Sequence, residues 1–425
     1  MITMLAYIPF IYFTLWLTIH LANPKMRLGA GAMSLIWVNA SAFFTILLDA
    51  RNLYGQFGCN EYSLSIFGVL LYCFLWTIIL APLMRLDGTD ITISPYINKP
   101  KLFKGFCVFL ILCMFIHIVF ADYLSFFQER LMADSADNYA ESVELERYRG
   151  GANQFLLWIP NIVASFTPLY LLCWIISITI CKQSKLIRLC LLGASMLAMF
   201  VGFAYGGRAQ LLWWCITFLI YFYQFKPQMS PTQRKYINIV FLSFAGIAFI
   251  GMMIITLSRF DDGGSQALDS IIGYAGQQVN NFCALLPYAD LAHLYPDRIF
   301  PLYQYVVKGE PYDMIKLYSF LSNLYPIRIN VFSTLFGGLL IDTGILGLIV
   351  FLLLYVFTSK KLIHTQQSTI NVSQLFIWSL LFCIPVRGLF GWPFTTYHNS
   401  LYIFFSIGLF ILFNYTFKFG RNKSL

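Results

Sequence analysis

Long apolar runs separated by short polar breaks dominate the chain. A bilayer core of roughly 30 Å takes about 20 apolar residues as one helix. Runs of that kind lie near residues 4–22, 30–48, 63–84, 103–122, 154–181, 187–206, 209–225, 236–257, 331–357, 373–391 and 399–417. The pattern predicts an all-α polytopic membrane protein with about 11 transmembrane helices, forming a single integral membrane domain over 1–425. Composition says the same. Of 425 residues, 59% are hydrophobic and 11% are charged, whereas a soluble chain holds roughly 25% charged residues. Too few charges remain to cover a wetted surface, which excludes a soluble enzyme, a disordered chain and a nucleic-acid-binding domain.

The charges then orient the bundle. Residues 23–29, 85–102, 182–186, 226–235, 358–372 and the C-terminus carry most of the basic residues, among them Lys99, Lys101, Lys182, Lys185, Arg234, Lys235, Lys360, Lys361 and Lys423. The same segments hold only Asp87 and Asp90 as acids. By the positive-inside rule these segments are cytoplasmic, so the N-terminus is outside and the C-terminus inside. The net charge of +9 is thus spread over inner loops rather than gathered into a patch for nucleic acid. No basic region precedes the first apolar run, so no cleavable signal peptide is expected.

Two outer segments are longer than turns. One, 123–153, is acidic, with Glu129, Asp134, Asp137, Glu141, Glu144 and Glu146 beside Arg130, Arg147 and Arg149. The other, 258–330, has helical apolar spacing at Leu268, Ile271, Ile272, Val279 and Phe282, followed by an aromatic, Pro-punctuated stretch from Tyr295 to Tyr325. Amphipathic helices lying on the membrane surface are the expectation for it. Long structured loops in a compact protein usually carry function, which puts the working face outside the cytoplasm. No internal repeat of the transporter kind is evident.

Candidate chemistry is sparse. The histidines are scattered without metal-ligand spacing, the ten cysteines include no C-x-x-C pair, and no metal or other cofactor is expected. Glu144-Leu-Glu146 is the nearest approach to an acidic metal motif, and a solvated acidic face is the preferred reading of it. Arginine is more informative, because its planar fork matches phosphate oxygens bidentately. Arg208 sits in the Gly-rich turn Gly206-Gly207-Arg208-Ala209, either as a ligand-facing residue or as a snorkelling helix end. Arg259 and Arg328 flank outer ends of runs. Arg387, in Cys383-Ile384-Pro385-Val386-Arg387-Gly388, is an ionisable residue inside a membrane run and therefore a functional candidate; the rival reading pairs it with Asp342. His293 and His398 are the outer histidines able to take a hydroxyl proton near neutral pH, or else ordinary loop residues.

These landmarks together resemble the bacterial O-antigen polymerases (Wzy), also called oligosaccharide repeat-unit polymerases. The resemblance rests on order and topology. It comprises the span number, two long outer loops, Gly206-Gly207-Arg208-Ala209, Arg259 and Asn280-Asn281-Phe282. The run Phe332-Ser333-Thr334-Leu335-Phe336-Gly337-Gly338, continuing through Asp342-Thr343-Gly344-Ile345-Leu346-Gly347, and finally Arg387 complete it. Arg298 and Gly309 also fit the family's R-x10-G pattern, a spacing that chance supplies in a chain with 28 Gly; the 123–153 loop holds no second copy.

The resemblance implies a GT-C-like helical bundle and metal-independent glycosyl transfer at the periplasmic face of the bacterial inner membrane. The substrate would be an oligosaccharide linked to undecaprenyl diphosphate, and a chain-length regulator protein would be a further partner. It casts Arg208, Arg259, Arg387, His398 and His293 as catalytic candidates, with Arg328, Asp342, Asn281 and Arg298 in substrate binding. Two alternatives stay open: an O-antigen ligase, which depends more on an outer-loop histidine such as His293, and a lipid-linked oligosaccharide flippase.

Overall fold

A hydrocarbon environment offers no partner for a backbone N–H or C=O, so apolar runs close their hydrogen bonds internally as helices. A computed structural model describes residues 4–56, 62–89, 91–95, 97, 99–120, 159, 162–164, 166–204, 209–258, 264–291, 299–303, 306–307, 323, 332–362, 369–395 and 397–414. Every apolar run holds a helix: α1 Met4–Ala22, α2 Ala30–Ala50, α3 Ile66–Arg85, α4 Pro100–Phe120, α5 Thr167–Thr179, α6 Lys185–Ala204, α7 Ala209–Phe225 and α8 Pro231–Ser258. After α9 Gly264–Gly276 and α10 Gln278–Leu285 come α11 Thr334–Leu362, α12 Val372–Gly388 and α13 Tyr397–Asn414. Among the described residues, α1, α2, α3, α4 and α11 are long and apolar enough to cross a membrane. The 123–153 loop lies outside the described residues.

Large apolar side chains face outward along α1 (Ile11, Leu15, Ile19), α3 (Phe67, Leu70, Phe74) and α11 (Leu346, Leu353, Phe357). A water-soluble monomer does not expose apolar surface on this scale; lipid-facing helices do. The interior is built on aromatic anchors, with Trp76, Trp174, Trp214 and Trp378 fully buried.

The segments expected on one side of the membrane meet on one face. Met26 bridges Gly88, and Arg27 donates to the Ile91 carbonyl at 3.0 Å. β1 Thr92–Ile93 pairs in parallel with β2 Thr369–Ile370, Thr92 opposite Thr369. Gln228, from the short 3-10 turn Lys226–Gln228, donates to the Ile93 carbonyl at 2.6 Å, and Gln233 donates to Ile178 at 2.8 Å. Lys99 donates to Leu412 near the end of α13. Only an odd change in the number of crossings between two of these loops would have put them on opposite faces.

Of the helices that start at this basic face, α2, α8 and α12 show how the starts are capped. Ser230 and Gln233 form a reciprocal pair on α8 (Ser230 N to Gln233 Oε1 2.8 Å, Gln233 N to Ser230 Oγ 3.3 Å). The Asn371 amide donates to Gln374 Oε1 at 2.8 Å ahead of α12. For α2 the cap comes from far away in sequence. Asp87 is fully buried and accepts from Gly31 N at 3.0 Å and Ala32 N at 2.7 Å. His20 Nε2 lies 3.2 Å from Oδ2, the oxygen that also accepts from Ala32 N. Burial pushes the Asp87 carboxyl up, against the downward pull of His20 and the two amides.

Asp87→Ala removes the acceptor of two buried amides at once, and an unsatisfied buried donor costs about 1–3 kcal/mol. The expected result is a marked fall in the melting midpoint of the detergent-solubilised protein, with Asp87→Asn, which keeps one acceptor oxygen, falling less. An unchanged midpoint in Asp87→Ala would remove this cap from the description.

In the 258–330 segment the apolar spacing does form helices. α9 keeps an exposed face with Leu268 and Tyr274, whereas α10 is enclosed. All eight residues of α10 are buried, the polar Gln278, Asn280 and Asn281 included. α9 is pressed onto α2: Ser41 donates to the Ala275 carbonyl at 2.8 Å and Thr45 to Gly276 at 2.9 Å. A Cβ at Gly276 would stand 2.4 Å from the Phe44 carbonyl oxygen, so only glycine allows this approach. Small residues that admit close backbone contact are how membrane helices pack. The polar side chains of α10 tolerate burial because they are paired. Asn280 accepts from the Ser63 amide at 2.8 Å, and Asn281 donates to Gln277 at 2.8 Å.

α11 is broken. Gly344 sits at φ 66°, ψ −170°, a region that only glycine enters cheaply. Before it, Thr334 to Asp342 are all buried; after it, Ile345 and Leu346 are exposed. Phe336 packs on Trp76 at 5.1 Å, while the Tyr355 hydroxyl donates to Ile79 at 2.8 Å. A straight helix would put Phe336 and Tyr355 ~28 Å apart, yet their partners on α3 are ~4.5 Å apart along its axis. The first part of α11 therefore turns sharply away from the axis of the second and lies inside the bundle. The sequence pattern gave one continuous span here.

Candidate functional site

On the face opposite the basic loops, α12 ends at Gly388, one residue past Arg387. A cation in the last turn of a helix sits at the negative end of the macrodipole. The half-buried Arg387 guanidinium donates through Nη1 to Asn399 Oδ1 on α13 at 3.0 Å. Its Cζ lies 5.1 Å from the ring centroid of Trp213 on α7, a cation–π distance. Among the described residues its partners are Asn399 and Trp213, so the sequence-level alternative of an Arg387–Asp342 pair is not formed.

An aromatic wall surrounds this group. Phe390 lies 6.0 Å from Trp37, 6.5 Å from Trp213 and 5.3 Å from Phe332, and Phe332 in turn meets Tyr274 at 5.6 Å. Trp37 fixes α2 to α12 by donating Nε1 to the Val386 carbonyl at 3.1 Å. Asn281 secures the wall from behind, its Nδ2 donating to the Phe332 carbonyl at 3.0 Å. Since Asn281 is fully buried and its Nδ2 is spent on Gln277 and Phe332, it braces this wall. Trp37, Trp213, Phe332, Arg387 and Phe390 are each partly exposed. Together they form a partly exposed aromatic cluster whose single described cation is Arg387.

Other expected site residues distribute as follows. The backbone of His398 lies in the first turn of α13, next to Asn399. Asp342 is fully buried on α11, two residues before the break. Arg208, Arg259, Arg298, Arg328 and His293 lie outside the described residues; α7 begins at the residue after Arg208, and α8 ends at the residue before Arg259. No group of three or more potential metal ligands occurs among the described residues, and all described cysteines are free.

Sequence reasoning missed Trp213, Asn399, the Trp37–Phe390–Phe332 wall and the Gly344 break. Asn399 was legible only as the neighbour of His398, and Trp213 as one of many aromatics in an apolar run. The two glycines flanking Ile345-Leu346 after Asp342 were the signal for the break.

Comparison of the chain with protein-family models, curated proteins and solved structures finds no match.

Proposed function

We propose that this protein is a polytopic glycosyltransferase of the inner membrane that joins lipid-linked oligosaccharide repeat units at the outer face. In this reading eleven helices cross the bilayer, α1 to α8 and α11 to α13, with the N-terminus periplasmic and the C-terminus cytoplasmic. The donor is a glycan on undecaprenyl diphosphate and the acceptor a hydroxyl of a second lipid-linked unit. The observation that carries the reading is Arg387, held by Asn399 and Trp213 in an aromatic cluster on the face away from the basic loops.

The chemistry asks for what such a cluster offers. The acceptor oxygen forms a bond to the anomeric carbon while the carbon–oxygen bond to the diphosphate breaks, and negative charge accumulates on the leaving group. A preorganised guanidinium stabilises that charge best where water is largely excluded. Aromatic rings give sugar faces a surface to stack on. The hydroxyl proton passes to a base, for which His398, beside Asn399 in sequence, and His293 are the candidates. Arg208 and Arg259, at chain positions adjoining the ends of α7 and α8, would add further positive charge for the second phosphate.

The broken α11 with its buried Asp342 favours a second reading, a lipid-linked oligosaccharide flippase, because interrupted helices recur in transporters. Deleting the gene in a strain that makes a polymeric surface glycan separates the two. Loss of polymer with single repeat units still attached to lipid A is the expected result. Loss of all attached glycan would instead indicate a flippase or a ligase.

A further inference from the structure

Arg387 is held at one nitrogen and against one ring, and that arrangement bears on what it binds. Nη1 donates to Asn399 Oδ1 at 3.0 Å. Cζ lies over the Trp213 ring, 5.1 Å from its centroid. Among the described residues no partner engages Nε or Nη2, and that edge of a guanidinium is the side that forms paired parallel bonds to two oxygens of one anion. Trp213 is itself fixed: its ring meets Phe390, which packs on Trp37 and Phe332. Three chain segments that are remote in sequence thus converge to set one side chain's orientation.

Resting on the function proposed above, we propose that Asn399 and Trp213 are positioning residues that aim the Nε–Nη2 edge of Arg387 at a diphosphate oxyanion beside the aromatic cluster. A neutral carboxamide suits this task. It accepts one hydrogen bond and leaves the positive charge uncancelled, whereas a carboxylate at the same place would neutralise the guanidinium and repel the ligand. An indole suits it too, since a cation–π contact restrains the group without consuming an N–H.

The test measures binding of undecaprenyl diphosphate to the full-length protein in nanodiscs, with inorganic diphosphate as competitor and the melting midpoint of every variant as control. Asn399→Ala is expected to weaken binding about tenfold, and Asn399→Asp to weaken it further, despite similar midpoints. Trp213→Phe is expected to stay within about threefold of wild type, while Trp213→Leu falls about tenfold. Competition by inorganic diphosphate supports recognition of the anion itself, and its absence at any concentration overturns that. Wild-type affinity in Asn399→Asp, alongside lost binding in Arg387→Ala, would overturn the positioning role and leave the proposed function standing. Wild-type affinity in Arg387→Ala would sink the proposed function itself. Losses that merely track lowered midpoints would reduce both residues to packing.

Discussion

Arg387→Ala is expected to abolish glycan polymer while the protein accumulates at its normal level. The side chain contributes little to the fold that its loss would expose. It is half-buried, and among the described residues it gives one hydrogen bond, to the neutral Asn399. Alanine therefore strands a single acceptor at a partly exposed position, where water replaces the guanidinium. The loss falls on the reaction instead. Removing one preorganised donor from a developing oxyanion costs about 10²–10³ in rate, and here the donor also carries a full charge. Arg387→Lys should recover only part of the activity, because an ammonium supplies the charge without the fork. Glycan chain lengths on a gel, beside an immunoblot for the protein, decide the matter. A wild-type ladder in Arg387→Ala would remove the guanidinium from the chemistry.

Gly344→Val is expected to have the largest effect on the fold. With φ at 66° and ψ at −170°, Gly344 occupies backbone space in which a β-branched residue is strained by of order 1–3 kcal/mol or more. Relieving the strain by straightening α11 is not a cheap escape. It would pull the buried stretch from Thr334 to Asp342 out of the bundle, undoing the Phe336 contacts with Trp76 and Phe282. The asparagine brace on Phe332 would go with it. The expected outcome is a steep drop in membrane-inserted protein and in the melting midpoint, with Gly344→Ala intermediate. A Gly344→Val protein that melts like wild type would mean that α11 is not bent there.

How much of this was legible in the sequence follows from what each feature depends on. The helices were legible because hydrocarbon thickness fixes their length and composition, as in Ile66–Arg85. The grouping of loops was legible from charge alone, and the pairing of Thr92–Ile93 with Thr369–Ile370 agrees with it. Burial of polar residues was not. Asp87 reads as a stray cytoplasmic acid until the amides of Gly31 and Ala32 are seen beside it. Gln278, Asn280 and Asn281 read as the wet side of a surface helix, because pattern alone does not reveal partners such as Ser63 that come from another part of the chain. The site was half legible. Arg387 stood out as a charge in an apolar run, whereas Asn399 and Trp213 gain meaning only from their distances to it.

The most direct measurement is reconstitution of the purified protein in lipid vesicles with undecaprenyl-diphosphate-linked repeat units from its own strain. Glycan length and free undecaprenyl diphosphate would be followed together. The expected result is a ladder of longer glycans, with one lipid diphosphate released per bond formed and no added metal required. Movement of intact lipid-linked units across the bilayer, with no ladder and no released lipid diphosphate, would contradict it.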